Sequence, residues 1–126
     1  MSAGILEELT VLLKNIPIPV ETGVFGGIAP DEYAVITPMD DVFEVFGDNL
    51  PLFESREARI SIFSKNNYRR LVNRVVRALL SAGFIVTKRT YVDREDDTGY
   101  FHYAVDAAKE YYFNMKEDVV YGSDRA

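Results

Sequence analysis

ESREARISIFSKNNYRRLVNRVVRALLSAGFIV, residues Glu54 to Val86, changes its periodicity partway along. Over Arg56 to Phe63 the side chains alternate. Ala58, Ile60 and Ile62 fall on one side and Glu57, Arg59 and Ser61 on the other, as in a half-buried strand. Ser64, Asn66 and Asn67 then supply oxygens that can cap the free amides of a helix start. From Tyr68 to Ala82 the repeat is helical. Tyr68, Leu71, Val72, Val75, Val76 and Leu79 make one apolar face, and Arg69, Arg70, Asn73, Arg74 and Arg77 fill the opposite one. Gly83 sits where a left-handed helix stop is wanted, and Phe84-Ile85-Val86 opens the next strand.

Working outward toward the N-terminus, Ile5, Leu6, Leu9, Leu12, Leu13 and Ile16 recur at three- and four-residue steps. They predict a first amphipathic helix, capped by Ser2 and ended by Pro17 and Pro19. Ile18 to Phe25 reads as extended and is broken by Gly26-Gly27. Tyr33 to Thr37 reads as a short strand closed by Pro38, and Val42 to Phe46 as another. Asp40-Asp41 then falls in a turn, and Gly47-Asp48-Asn49 with Pro51 in a loop.

Toward the C-terminus, Phe84 to Val92 is rich in β-branched and aromatic residues. Tyr100 to Phe113 alternates Phe101, Tyr103, Val105 and Ala107 against His102, Ala104 and Asp106. The two runs predict a long antiparallel hairpin around the acidic turn Asp93 to Gly99. Residues 114–126 read as a polar tail or an arm ordered by a partner. The expected architecture is one α+β domain over residues 1–126, a mostly antiparallel sheet with helices packed on one face.

A chain of 126 residues can bury roughly two thirds of its unfolded surface, enough for a core without staples. It has no cysteine, so disulfides and thiolate metal sites are excluded. No apolar run approaches the roughly 20 residues of a membrane helix, and the N-terminal pattern lacks the basic lead of a signal peptide. Cytoplasmic synthesis is expected.

The net charge of −6 is unevenly spread. Residues 1–55 hold ten acids and one base, residues 56–94 ten bases and two acids, and residues 95–126 eight acids and three bases. The blocks are therefore −9, +8 and −5. Either they neutralise one another within the fold, or the basic surface of one copy meets the acidic surface of the next. An acidic chain with pI near 4.8 is poorly suited to bind nucleic acid without a segregated patch.

Recognisable chemistry is sparse. Counted from Asp93, a calcium loop would want glycine sixth and glutamate twelfth, but Thr98 and Ala104 stand there. His102 is the only histidine and has no nucleophile motif beside it, so a packed sheet residue is the expectation. Glu7-Glu8 and Asp40-Asp41 are adjacent pairs that diverge from helix or strand. Gly23 to Gly27 has the spacing of neither phosphate-binding glycine fingerprint. No catalytic residue, metal or cofactor is expected.

Three short motifs, in order, carry a resemblance. They are Phe63-Ser64-Lys65, Ala82-Gly83-Phe84 and Asp97-Thr98-Gly99-Tyr100-Phe101-His102, with Tyr33-Ala34-Val35 and Asp48-Asn49 upstream. Across residues 30 to 113 the chain resembles the tail terminator (tail completion) proteins of long-tailed phages and related prophages. The resemblance implies an α/β sandwich that assembles into a ring, usually of six copies. Such a ring caps the head-proximal end of the tail tube in the virion and stops tube polymerisation. It offers a surface to the head connector or head-completion protein, and DNA passes through its lumen without sequence recognition. The protein would then be structural, not an enzyme. A neck or head-completion protein, or a small ligand-binding domain or enzyme, are the alternatives.

On this reading Arg69, Arg70, Arg74 and Arg77 are the candidate subunit interface. Asp93, Glu95, Asp96 and Asp97 are a candidate loop facing the lumen or the rim.

Overall fold

Strict alternation along residues 58–62 requires one sheet face to be dry and the other to be shared with polar groups, and the helices supply the dry side. The computed structural model describes residues 4–16, 18–22, 29–46 and 50–113. Helix α1 is Ile5–Lys14 and helix α2 is Tyr68–Ser81. The strands are β1 (Val20–Thr22), β2 (Glu32–Phe46), β3 (Leu50–Ser64), β4 (Ile85–Arg94) and β5 (Phe101–Tyr112). They form one sheet in the order β1-β2-β3-β5-β4, antiparallel except for the β1–β2 pair. The fold is α+β.

Both helices lie on the same face. α1 packs on β1, β2 and β3, while α2 packs on β3, β4 and β5. Between them and the sheet, Leu9, Leu13, Ile36, Ile60, Ile62, Val75, Leu79 and Val105 are fully buried in a single core. Each such side chain contributes roughly 1.5–3 kcal/mol by leaving water. The small residues Ala34, Ala58 and Ala107, also fully buried on the strands, leave room for the larger helix side chains.

The ends of α2 follow their chemistry. Asn67 accepts a hydrogen bond from the Arg70 amide at 3.2 Å, which caps the start. Gly83 takes φ +89° at the stop, a left-handed conformation that costs a side-chain-bearing residue. Ser64 is wholly buried where β3 leaves for the helix. Its hydroxyl donates to Glu32 at 2.9 Å and accepts from the Asn66 amide at 3.0 Å, tying β2, β3 and the turn together.

Four expectations are corrected. Pro38 does not close a strand, because β2 runs through it to Phe46. Proline is tolerated there because β1 pairs only with Ala34–Ile36 and no other described residue pairs with that side of Pro38, with a bulge just beyond it. Asp40-Asp41 consequently lies within β2, not in a turn. β3 begins at Leu50, so Pro51 is in the strand, and the pairing with β2 lengthens it well before Arg56. Helix α1 is entered from Gly4, whose amide donates to the Glu7 carboxylate at 3.2 Å. The proposed cap Ser2, Pro17, Gly26-Gly27, Gly47-Asp48-Asn49 and the tail 114–126 lie outside the described residues.

Candidate functional site

The arginine face is a by-product of how α2 must sit. Leu71, Val72, Val75 and Leu79 are buried, so the other side of the helix is committed to solvent. Tyr68 anchors the first turn. Its ring stacks on Phe101 at 5.0 Å and meets Tyr91 at 5.8 Å and Tyr103 at 6.0 Å, on the helix side of the β4–β5 hairpin. With that end fixed, Arg69, Arg70, Arg74 and Arg77 are all exposed. The structure brings the four together on one helix.

None of these arginines forms an ion pair with a carboxylate among the described residues. Glu32 shares a recess of about 330 Å³ with Arg70 and Arg74, and one of its carboxylate oxygens accepts the Ser64 hydroxyl. Arg74 has one weak intramolecular role, donating at 3.4 Å to the Ile16 carbonyl beyond α1. Arg69 lies over the Tyr68 ring at 5.7 Å. The strand cations behave differently. Arg56 pairs with Glu54 at 2.8 Å and Arg59 with Asp106 at 2.8 Å. Self-neutralisation thus accounts for these two strand arginines but not for those of α2.

The acidic turn is held by its own backbone. The Glu95 amide donates to Tyr100 at 2.8 Å and the Gly99 amide to Glu95 at 2.7 Å, with Gly99 at φ +83°. The Thr98 hydroxyl donates to the Glu95 carboxylate at 2.7 Å, and Asp96 is paired with Arg94 at 3.4 Å. Asp93 closes the β4 side of the hairpin, and Asp97 is exposed. Among the described residues no three His, Asp or Glu side chains converge as a metal site would need.

On the sheet face away from the helices, residues from separate motifs meet. Phe63 stacks on Tyr33 at 4.7 Å and on His102 at 4.3 Å, and Tyr100 stands edge-on to both Tyr33 and Phe63. The Tyr100 hydroxyl donates to the Pro30 carbonyl. Burial lowers the His102 pKa below its ordinary value, against the opposing pull of Asp93 and Glu95, and its Nε2 is buried without a partner among the described residues. This cluster was not assembled by sequence reasoning. The available signal was the alternation of Phe63, Tyr100 and His102 with core residues, but the register that joins them is long-range.

The first helix contributes a second polar node. Lys109 pairs with Glu8 at 2.9 Å and lies over Phe84, while Arg56 lies over Tyr111 at 4.6 Å. Burial, and after it the nearby Glu8 carboxylate, push the Tyr111 phenol well above its ordinary pKa. Among the described residues the hydroxyl itself has no hydrogen bond of good geometry.

Among the described residues no helix is long and apolar enough to cross a membrane. No protein-family model matches the chain, and no curated protein matches it.

Proposed function

We propose that this chain is a structural protein of a long-tailed phage or prophage particle, a tail terminator. It self-associates head to tail into a ring, six copies being the usual number in the proteins it resembles. The ring caps the head-proximal end of the tail tube, halts tube growth and offers a joining surface to the head connector. DNA passes through the lumen, and the protein carries out no catalysis.

The observation that carries the reading is the exposed arginine face of α2, without carboxylate partners among the described residues, in a chain that is otherwise acidic. A charged face of that kind favours an acidic neighbour over a second copy of itself, which suits a heterologous contact. The motifs behind the resemblance also fall at the joints of the fold. Ser64 ties the β3–α2 turn, Gly83 ends α2, and Gly99-Tyr100 closes the β4–β5 hairpin.

The test is tube capping. Purified chain added to assembling tail tubes should stop their growth, seen as a narrow length distribution by electron microscopy. Arg70→Glu with Arg77→Glu should lose capping while keeping the fold, since neither side chain holds an ion pair among the described residues. Wild-type protein that leaves tube length unchanged would overturn the reading.

A further inference from the structure

Two strands of this sheet have open edges, and they differ in charge. β4 is last in the strand order, and nothing among the described residues pairs with its outer side. Among the described residues β2 is covered by β1 only over Ala34–Ile36, and none pairs with the outer side of Thr37 to Phe46. Each free run is ten residues, roughly 33 Å at about 3.3 Å per residue. An open edge is a row of unpaired amides and carbonyls, a template for another strand.

Both edges are guarded, but in opposite senses. β4 carries exposed Lys88, Arg89 and Arg94 against one exposed acid, Asp93, and two register shifts against β5. β2 carries Pro38, a bulge between Pro38 and Asp41, and exposed Asp40 and Asp41. Two β4 edges brought together would set net positive charge against net positive, and two β2 edges acids against acids. Net charge favours β4 against β2. Apolar surface points to the same pair. Of the nine large hydrophobic side chains exposed among the described residues, six lie on these two strands: Met39, Val42, Phe43, Ile85, Tyr91 and Val92.

We infer that the β4 edge of one copy pairs with the Thr37–Phe46 edge of β2 in the next, continuing the sheet from subunit to subunit. Because the two edges are different patches, the contact is heterologous, and its rotation decides between a closed ring and an open filament. The inference deepens the ring reading by naming the strands that join, and it uses a surface separate from the α2 arginines.

The experiment compares full-length wild type with Lys88→Glu/Arg89→Glu and with Asp40→Lys/Asp41→Lys. Circular dichroism checks the fold, and size-exclusion chromatography with light scattering gives mass up to millimolar protein at low salt. Wild type should be oligomeric and each folded variant alone monomeric. An equimolar mixture of the two should regain the oligomer, because acidic β4 now faces basic β2 and native β4 faces native β2. Variants that keep the wild-type mass, a mixture of folded variants that stays monomeric, or a wild type that is monomeric throughout would each overturn the edge pairing. Loss of mass in Arg70→Glu/Arg77→Glu but not in the edge variants would sink the edge pairing and leave the ring reading standing. Edge variants that behave as expected in a chain unable to cap tail tubes would sink only the tail terminator reading.

Discussion

Arg59 holds Asp106 across the β3–β5 register with two hydrogen bonds, Nε to Oδ1 at 2.8 Å and Nη2 to Oδ2 at 3.1 Å. The pair lies on the sheet face away from the helices and is unequal. The Asp106 side chain is 5% exposed, whereas Arg59 is 40% exposed. Removing the arginine strands a buried carboxylate, while removing the aspartate leaves a guanidinium that water still reaches. Arg59→Met should therefore cost more than Asp106→Ala, about 1–3 kcal/mol after allowing for solvent at the exposed partner. The double variant should recover part of that loss. Urea unfolding of the four proteins reads the coupling directly, and equal costs for the two single changes would contradict the asymmetry.

His102 sets an acid limit on stability. Its folded pKa lies below 6.5 because burial penalises the imidazolium, so the unfolded chain takes up the proton first. The folded state is then favoured fully above 6.5 and loses ground as pH falls from 6.5 through the folded value. His102→Phe keeps the stack on Phe63 and removes the titration. Its melting temperature should fall less steeply than wild type just below pH 6.5, before the carboxylates dominate. Parallel curves would mean that His102 is as free to protonate folded as unfolded.

Tyr111 works in the other direction. Its phenol is raised above 10.0 in the folded chain, first by burial and then by Glu8. Stability tied to it is complete below pH 10.0 and is lost as pH rises toward the folded value. Because the buried hydroxyl has no good partner, Tyr111→Phe should be neutral or stabilising by up to about 1 kcal/mol at pH 7. The ring remains available to the Arg56 guanidinium. The variant should also lose part of the alkaline decline, measurable by urea midpoints at pH 9 to 11. A large loss of stability at neutral pH would reveal a hydrogen bond to Glu8 that matters.

The central unit was legible in the sequence because its signals are local. Ala58, Ile60 and Ile62 alternate, the α2 face repeats every three or four residues, and Gly83 marks the stop. All three are visible within a short window. The β4–β5 hairpin was legible for the same reason, since its turn lies between two β-rich runs. The long edge strand β2 was not, because Pro38 has opposite meanings in a central strand and at an open edge. Only the position of β1, set by long-range pairing, distinguishes them. Arg69, Arg70, Arg74 and Arg77 were recognisable as one face from spacing. That they lack carboxylate partners among the described residues depends on which acids the long-range strand pairing brings near α2, and spacing does not show that.

The acidic turn offers the last test. Asp93, Asp96 and Asp97 are exposed, and the Asp96 side chain is 96% exposed. Glu95 differs, since its carboxylate receives the Thr98 hydroxyl and helps shape the turn. Lysine at 93, 96 and 97, with Glu95 kept, should therefore change stability by less than about 1 kcal/mol. The Arg94–Asp96 pair is too exposed to matter more. DNA is a polyanion, and a channel through which it slides works best when it does not hold phosphates. If the turn faces the lumen of the proposed ring, three lysines should trap DNA or slow its ejection in otherwise normal particles, more strongly at low salt than at high. If the turn faces the tail tube, the same protein should give overlong tails with normal DNA passage. Electron microscopy of tail length, paired with an ejection assay, separates the two placements, and normal results in both would remove the turn from either surface.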